Sequence, residues 1–382
     1  MRTNWVSLGL FVGCIGAAFA GCGGNDDTSG GGGGGSATPI PLDNLPAALS
    51  AAMCGIITDC LGDLYSLYMP GQDCTTVNQA QFEDGDFANI KQGISDGTVV
   101  YDGTKAQACL DAISAAGCSL LTSRMPAVCK EAVAGTVTNG GDCTFNAECK
   151  EVNAYCKIDA TCPGKCSPLE MSGTACTTSD QCQTGLVCGE NTKKCEAPVA
   201  AAGACSDSGA QCVAGLLCKR DSNTATSGTC SEMSQMFIAG IGETCDLQGG
   251  LYCQTGLACI LDSINTSTNP PTAVMKCAAK VASGAPCRYS FPDQCPTDEY
   301  CSGVDLNTVK FDGTCSKLPT VGQTCTEGAI LGGGCASALV CDANKVCKEI
   351  HRLDGTCGGA SECYSNTCAG GKCAVKSDCP AQ

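Results

Sequence analysis

Cysteine is the residue type here whose number and spacing could do chemistry. The chain of 382 residues carries 38 cysteines beside a single histidine, His351. Cysteine sulfur can hold a metal, attack as a thiolate, or cross-link the chain. A structural zinc site takes thiolate or imidazole ligands in close pairs, usually two residues apart. No C-x2-C occurs in this sequence; the tightest gap, Cys162 to Cys166, leaves three residues between them. The missing motif also argues against a thioredoxin-type redox pair. A Ser/His or Cys/His mechanism would have to use His351, which stands in the polar segment KEIHRLDG and reads as solvated surface. GGKC at 370–373 lacks the upstream Gly and the Ser/Thr of a phosphate loop. No catalytic residue, cofactor or metal is therefore expected, and cross-linking remains.

The elements that place these cysteines come in two kinds. From Leu42 to Thr136 apolar residues recur at helical spacing. In NLPAALSAAMCGIITDCLGDL, Leu45, Leu49, Met53, Ile56, Cys60 and Leu64 make one stripe, with Asn44 as cap and Pro46 in the first turn, where a missing N–H costs little. Cys54 and Cys60 lie on different faces of such a helix, so each must reach another segment. TKAQACLDAISAAGC carries a second stripe (Ala106, Cys109, Leu110, Ile113), with a capping-box spacing at Thr104 and Gln107 and a stop at Gly117. PAVCKEAVAG reads as a last short helix ending at Gly135, and Cys74 as a loop residue. Six cysteines, Cys54, Cys60, Cys74, Cys109, Cys118 and Cys129, would thus brace a small all-α bundle in three bridges, with fifteen connectivities open.

Beyond residue 138 helical periodicity gives way to internal repeats. CQTGLVCGENTKKC starts at Cys182, and CQTGLAC returns at Cys253. Seven units begin at Cys143, Cys176, Cys205, Cys245, Cys287, Cys325 and Cys357, each with Gly two or three residues earlier, a placement suited to a turn with positive φ. The second and third cysteines of units two to six have five residues between them without exception: Cys182 and Cys188, Cys212 and Cys218, Cys253 and Cys259, Cys295 and Cys301, Cys335 and Cys341. The fourth are Cys195, Cys230, Cys277, Cys315 and Cys347. The apolar residue before each third cysteine (Val187, Leu217, Ala258, Tyr300, Val340) is expected to be the unit's buried spot. Units one and seven hold five: Cys143, Cys149, Cys156, Cys162, Cys166, and Cys357, Cys363, Cys368, Cys373, Cys379.

A unit of about 35 residues is below the size at which a chain buries enough surface to fold unaided. A bridge closing about a dozen residues contributes roughly 3 kcal/mol, so two per unit make a foldable module. Within four-cysteine units, first-with-third and second-with-fourth is the preferred order; nested and sequential pairing stay open.

The N-terminus fits an oxidising compartment. One charge, Arg2, precedes an apolar run from Trp5 to Phe19, which reads as a signal peptide over residues 1–21, and no later segment reads as long and apolar enough to cross a bilayer. The run ends in FAGC, residues 19–22, which resembles the bacterial lipobox. That resemblance implies cleavage at Gly21–Cys22 and a lipid on Cys22. Cys14, in FVGC, is a second candidate. Lipidation at Cys22 leaves thirty-six cysteines to pair; lipidation at Cys14 leaves an orphan thiol. Residues 22–41 are rich in Gly, Ser and Pro and read as a tether with a mean reach of about 24 Å. The net charge of −16 disfavours nucleic acid.

SGTACTTSDQCQTGLVCGENTKKC (172–195) and AGACSDSGAQCVAGLLC (202–218) resemble the Dickkopf N-terminal cysteine-rich and EB-type modules of extracellular proteins. YDGTKAQACLDAISAAGC and PAVCKEAVAGTVTNGGDC are similar to segments of a group of bacterial cysteine-rich lipoproteins, whose layout this chain shares. The expectation is an envelope lipoprotein, on the periplasmic face of the outer membrane or at the cell surface. A helical domain over 42–137 would be followed by seven small disulfide-rich modules with short β-hairpins over 138–382. Its partners would be a membrane, through the lipid, and a protein or cell-surface ligand. The role would be structural or adhesive. Alternatives are a protease inhibitor, with ILDSINTSTNPPTAVMK (260–276) as the inhibitory loop, and an enzyme seated in the helical domain.

Overall fold

The computed structural model describes residues 38–61, 73–121, 125–158, 162–189, 192–206, 211–213, 216–220, 225–232, 235–246, 251–265, 267–268, 272–291, 293–304, 310–325, 334–342 and 344–375. The signal peptide, Cys14, Cys22, most of the tether and Cys379 lie outside the described residues, as does Leu64.

Helix α1 (Leu45–Leu61) turns Leu45, Leu49 and Ile56 inward and leaves Met53 and Cys60 partly buried, as one face of a helix dictates. A 20-residue stretch, Leu42–Leu61, is long and apolar enough to span a membrane, contrary to expectation. Here its apolar stripe packs on protein, and two of its cysteines are bridged to other segments. Cys74 is not in a loop. It opens α2 (Cys74–Asp84), whose cap is Asp73, and α3 (Asp86–Asp96) follows directly. Helix α4 (Gly103–Ala116) is capped by Asp102, which accepts from the Thr104 and Lys105 amides, rather than by Thr104, and it stops at Gly117. Ala106, Cys109 and Ile113 are its buried face.

The domain is not purely α. The last helix, α5 (Ala127–Ala132), ends before Val133, and Val133–Gly135 (β2) pairs antiparallel with Val99–Tyr101 (β1). This ladder holds extended the residues expected as a last helical turn, and Gly135 lies so close to the Glu148 carbonyl that a Cβ has no room. Phe82, Phe87, Ile90, Ile113 and Val133 fill the core. Bridges join Cys54 to Cys74, Cys60 to Cys118 and Cys109 to Cys129.

After Thr136 one pattern recurs seven times. With Cys162 left out of the count in module one, the third and fourth cysteines face each other across a short antiparallel hairpin: Cys156 and Cys166, Cys188 and Cys195, Cys218 and Cys230, Cys259 and Cys277, Cys301 and Cys315, Cys341 and Cys347, Cys368 and Cys373. They do not bond each other. In every module the order is crossed. First to third are Cys143–Cys156, Cys176–Cys188, Cys205–Cys218, Cys245–Cys259, Cys287–Cys301, Cys325–Cys341 and Cys357–Cys368. Second to fourth are Cys149–Cys166, Cys182–Cys195, Cys212–Cys230, Cys253–Cys277, Cys295–Cys315, Cys335–Cys347 and Cys363–Cys373. The hairpin is thus pinned to the segment before it by both strands.

A type II turn precedes each module. Three residues before every first cysteine φ is positive: Gly140, Gly173, Ala202, Gly242, Gly284, Gly322 and Asp354. The strained position is therefore the third before cysteine, and in two modules it is not glycine. The glycine two before cysteine in units one, three and seven serves close packing instead, for example Gly203 against Val199. The turn holds the hairpin too. The fourth cysteine's N–H donates to the residue after the positive-φ position, as in Cys230 to Gly203 and Cys277 to Glu243.

The apolar column does not fill the module interiors. Of Val187, Leu217, Ala258, Tyr300 and Val340 only Ala258 is buried. Side chains alternate along a strand, so the neighbour of a buried cysteine points away from the sulfur. The residue two positions earlier shares its face, and Leu186, Leu257 and Leu339 there pack on the cysteine clusters. In the fifth module that place is held by Glu299, whose side chain is 1% exposed and accepts from Ser283 Oγ.

Loop length ranks the bridges. Cys60–Cys118 spans 58 positions, so replacing both by Ser is expected to lower stability by about 4 kcal/mol, against about 3 for Cys176–Cys188 in its own module; denaturant titration of each double variant checks the ranking. Ala202 sits at φ 60°, so Ala202→Gly should raise stability by about 1 kcal/mol in the same assay, whereas Gly242→Ala should lower it similarly.

Candidate functional site

The first five modules each gather three sulfurs within 4.8 Å, as in Cys176, Cys182 and Cys195, the crowding a metal would need. All three are bonded in disulfides, and a disulfide sulfur offers no thiolate. The cluster is a covalent core.

A second repeated contact locks it, and sequence reading missed it. The Glu or Gln just before the second cysteine accepts a hydrogen bond from the N–H just after the first. Glu148 takes Thr144, Gln181 takes Thr177 at 2.7 Å, Gln294 takes Arg288 at 3.1 Å and Glu362 takes Gly358 at 2.9 Å. The signal was present as AEC, DQC, DQC and SEC. His351 adds a backbone rung: it forms a parallel bridge with Cys363, its N–H donating to Glu362. The described flanks of the long segment 260–276, residues 260–265 and 272–276, are strands rather than open loop. Leu257–Asn265 and Thr272–Ala279 pair as two strands of a hairpin arm.

A cluster of charge lies where the array returns to the helical domain. The adjacent carboxylates Glu83 and Asp84 end α2. Arg352, in the turn that opens the seventh module, places Nε 2.9 Å from both Asp84 oxygens and Nη2 2.6 Å from Glu83. The Leu353 N–H also donates to Asp84, at 3.1 Å. Asp84 is only 5% exposed while Arg352 is 52% exposed, so the carboxylate is the desolvated partner and depends on the guanidinium. Burial works to raise the Glu83 pKa, but hydrogen bonds from Gln79 and Arg352 and the Arg352 charge outweigh it and hold the carboxyl below its ordinary value. The Arg352 pKa is raised; burial opposes this, and the Asp84 and Glu83 hydrogen bonds prevail. The guanidinium also lies 6.0 Å from the centre of the Tyr364 ring. At the other end of α2 the Asp73 amide donates to Ser337 Oγ of module six at 3.1 Å.

The first module is moored to the same domain. Phe145 and Ala147 join its core, and the Lys130 ammonium donates to the carbonyls of Glu151 and Val152 at 3.0 and 2.8 Å. The helical domain therefore holds both ends of the array. Its paired carboxylates serve this clasp, which is a structural use of groups that could otherwise serve acid–base chemistry.

Searches against family models, curated proteins and solved structures return no match. The site is defined by its own geometry.

Replacing Arg352 by Ala strands a buried carboxylate. Stability should fall by about 2 kcal/mol, and amide exchange at Leu353 should speed up roughly thirtyfold if the clasp opens separately from the rest. Arg352→Lys, which keeps charge but not the fork, should fall between; hydrogen-exchange mass spectrometry reads the series.

Proposed function

We propose that this chain is a lipid-anchored protein of the cell envelope, at the outer membrane's periplasmic face or at the cell surface, with a structural or protein-binding role. The observation that carries the reading is chemical. In modules one, two, five and six the interior is four half-cystines with one to three apolar residues beside them. Such an interior folds only where thiols are oxidised, outside the reducing cytosol.

The resemblance of residues 19–22 to a lipobox supplies the anchor, with Cys22 carrying the lipid and residues 22–41 serving as tether. Ile40, near the start of the described residues, is fixed to the helical domain: its N–H donates to the Gly103 carbonyl and its carbonyl accepts from Tyr101 Oη at 2.7 Å. The role suits the architecture. Stapled modules lose little conformational freedom on meeting a partner, so a binding surface on them is preorganised. The resemblance to Dickkopf-type and EB-type modules supports an extracellular, protein-facing surface without transferring the animal family's receptor antagonism.

Intact-mass spectrometry of the protein extracted from membranes tests this. The expected mass starts at Cys22 with lipid attached, and reduction should add thirty-six hydrogens, the complement of the cysteines left once Cys14 and Cys22 are set aside. A soluble product beginning elsewhere, or a population of free thiols in the folded protein, would overturn it.

A further inference from the structure

Among the described residues, the seventeen bridges given above use every cysteine but one. The one left is Cys162 of the first module, and it too is disulfide-bonded. Its partner is therefore one of the three cysteines outside the described residues: Cys14, Cys22 or Cys379.

We infer that Cys162 is bonded to Cys379, so that the first module is joined covalently to the end of the last and the array is closed. Two arguments select Cys379. The first rests on the function proposed above: cleavage at Gly21–Cys22 removes Cys14, and a thioether on Cys22 leaves that sulfur nothing to pair with. The second is independent of it. Module one is fused to the helical domain through Phe145, Ala147 and Lys130, and the seventh module is clasped to the same domain through Arg352 and Asp84. Two modules far apart in sequence are thus held by one body. Cys379 follows Cys373, a buried half-cystine of module seven, by six residues, a reach of up to about 20 Å. The fifth cysteine in units one and seven, absent from the five between, gives each end of the array one surplus thiol, and the two complete each other.

The chemistry balances as thiol–disulfide exchange. The Cys162 and Cys379 thiols give up two protons and two electrons as their S–S bond forms. A disulfide-bearing oxidant protein of the same compartment accepts them and leaves as its dithiol.

The peptides that report the bridge are well placed. Trypsin releases Cys162 in IDATCPGK (158–165) and Cys379 in SDCPAQ (377–382), each holding one cysteine. Full-length protein is extracted from membranes, denatured at acid pH with maleimide to block free thiols, taken from the monomer band of a non-reducing gel, and digested without reductant. The expected result is one species containing both peptides, which separates on reduction. Either peptide recovered as a maleimide adduct, or IDATCPGK joined to a peptide bearing Cys14 or Cys22, overturns the inference. The Cys22 peptide in the same digest keeps the two readings apart. The joined pair with an unlipidated Cys22 sustains the closure and defeats the anchor; a lipidated Cys22 with SDCPAQ alkylated does the reverse. Cys379→Ser is the second arm. It should create one maleimide-reactive thiol, mapped to Cys162, and no new thiol there counts against the bridge.

Discussion

A shortage of apolar surface governs this protein. Aromatic residues are 4% of the chain, and after Thr136 each module must order some thirty to forty residues around almost nothing hydrophobic. Backbone and side-chain entropy oppose that ordering by roughly 1.5 kcal/mol per residue. Disulfides act on the other side of the balance by restricting the unfolded chain. Once the interior is sulfur, the rest of the module follows. Two bridges need four attachment points, a hairpin supplies two of them directly opposite each other, and the preceding segment supplies the other two. The crossed order then ties both strands of the hairpin back to that segment, which neither sequential nor nested pairing achieves as evenly.

The helical domain solves the same problem by different means. It has a true hydrophobic core of Phe82, Phe87, Ile90, Ile113 and Val133, and its three bridges join helices that already pack. It is the one body large enough in apolar area to be stable with help rather than because of help. Its place in the architecture reflects this. Module one extends its core, and the turn before module seven is clasped to its α2, so the part with a core serves as foundation for the part without one.

Much of this was legible in the sequence because cysteine spacing is discrete. The module boundaries, the fixed knuckle between second and third cysteines, and the presence of a turn before each first cysteine could be read directly. What escaped reading depended on partners distant in sequence or on strand phase. Helix α3 is hard to read from sequence because its stripe, Phe87, Ile90 and Ile94, sits among Asp, Gly and Gln, and composition masks periodicity. Val133–Gly135 looked helical until a strand more than thirty residues upstream took it as a ladder partner. The apolar column before the third cysteine was assigned to the interior by composition, when period-two alternation puts its neighbour there. Two regularities were plainly written and went unused: Glu or Gln before the second cysteine, and a constant ten-position step from fourth cysteine to next first cysteine in five of six linkers.

That constant step has a structural consequence. Within it, the residue three past the fourth cysteine returns to the module just left, as Leu169 does by donating its N–H to Asn153 and Leu318 to Asp298, while the next residue begins the rung to the following module's second-cysteine segment, as Glu170 does with Cys182. A linker whose successive residues are committed to the module behind and the module ahead has no slack between them. Three linkers, those after Cys166, Cys315 and Cys347, carry both contacts and transmit orientation from one module to the next. The sixth, from Cys230 to Cys245, is longer, and its Phe237–Ala239 strand pairs in parallel with Tyr252–Cys253 of the module ahead. An array built this way can bring its seventh module back to the helical domain only if its accumulated geometry leads there, and the buried Asp84 carboxylate, which would be costly to desolvate without Arg352, makes that return part of the stable fold.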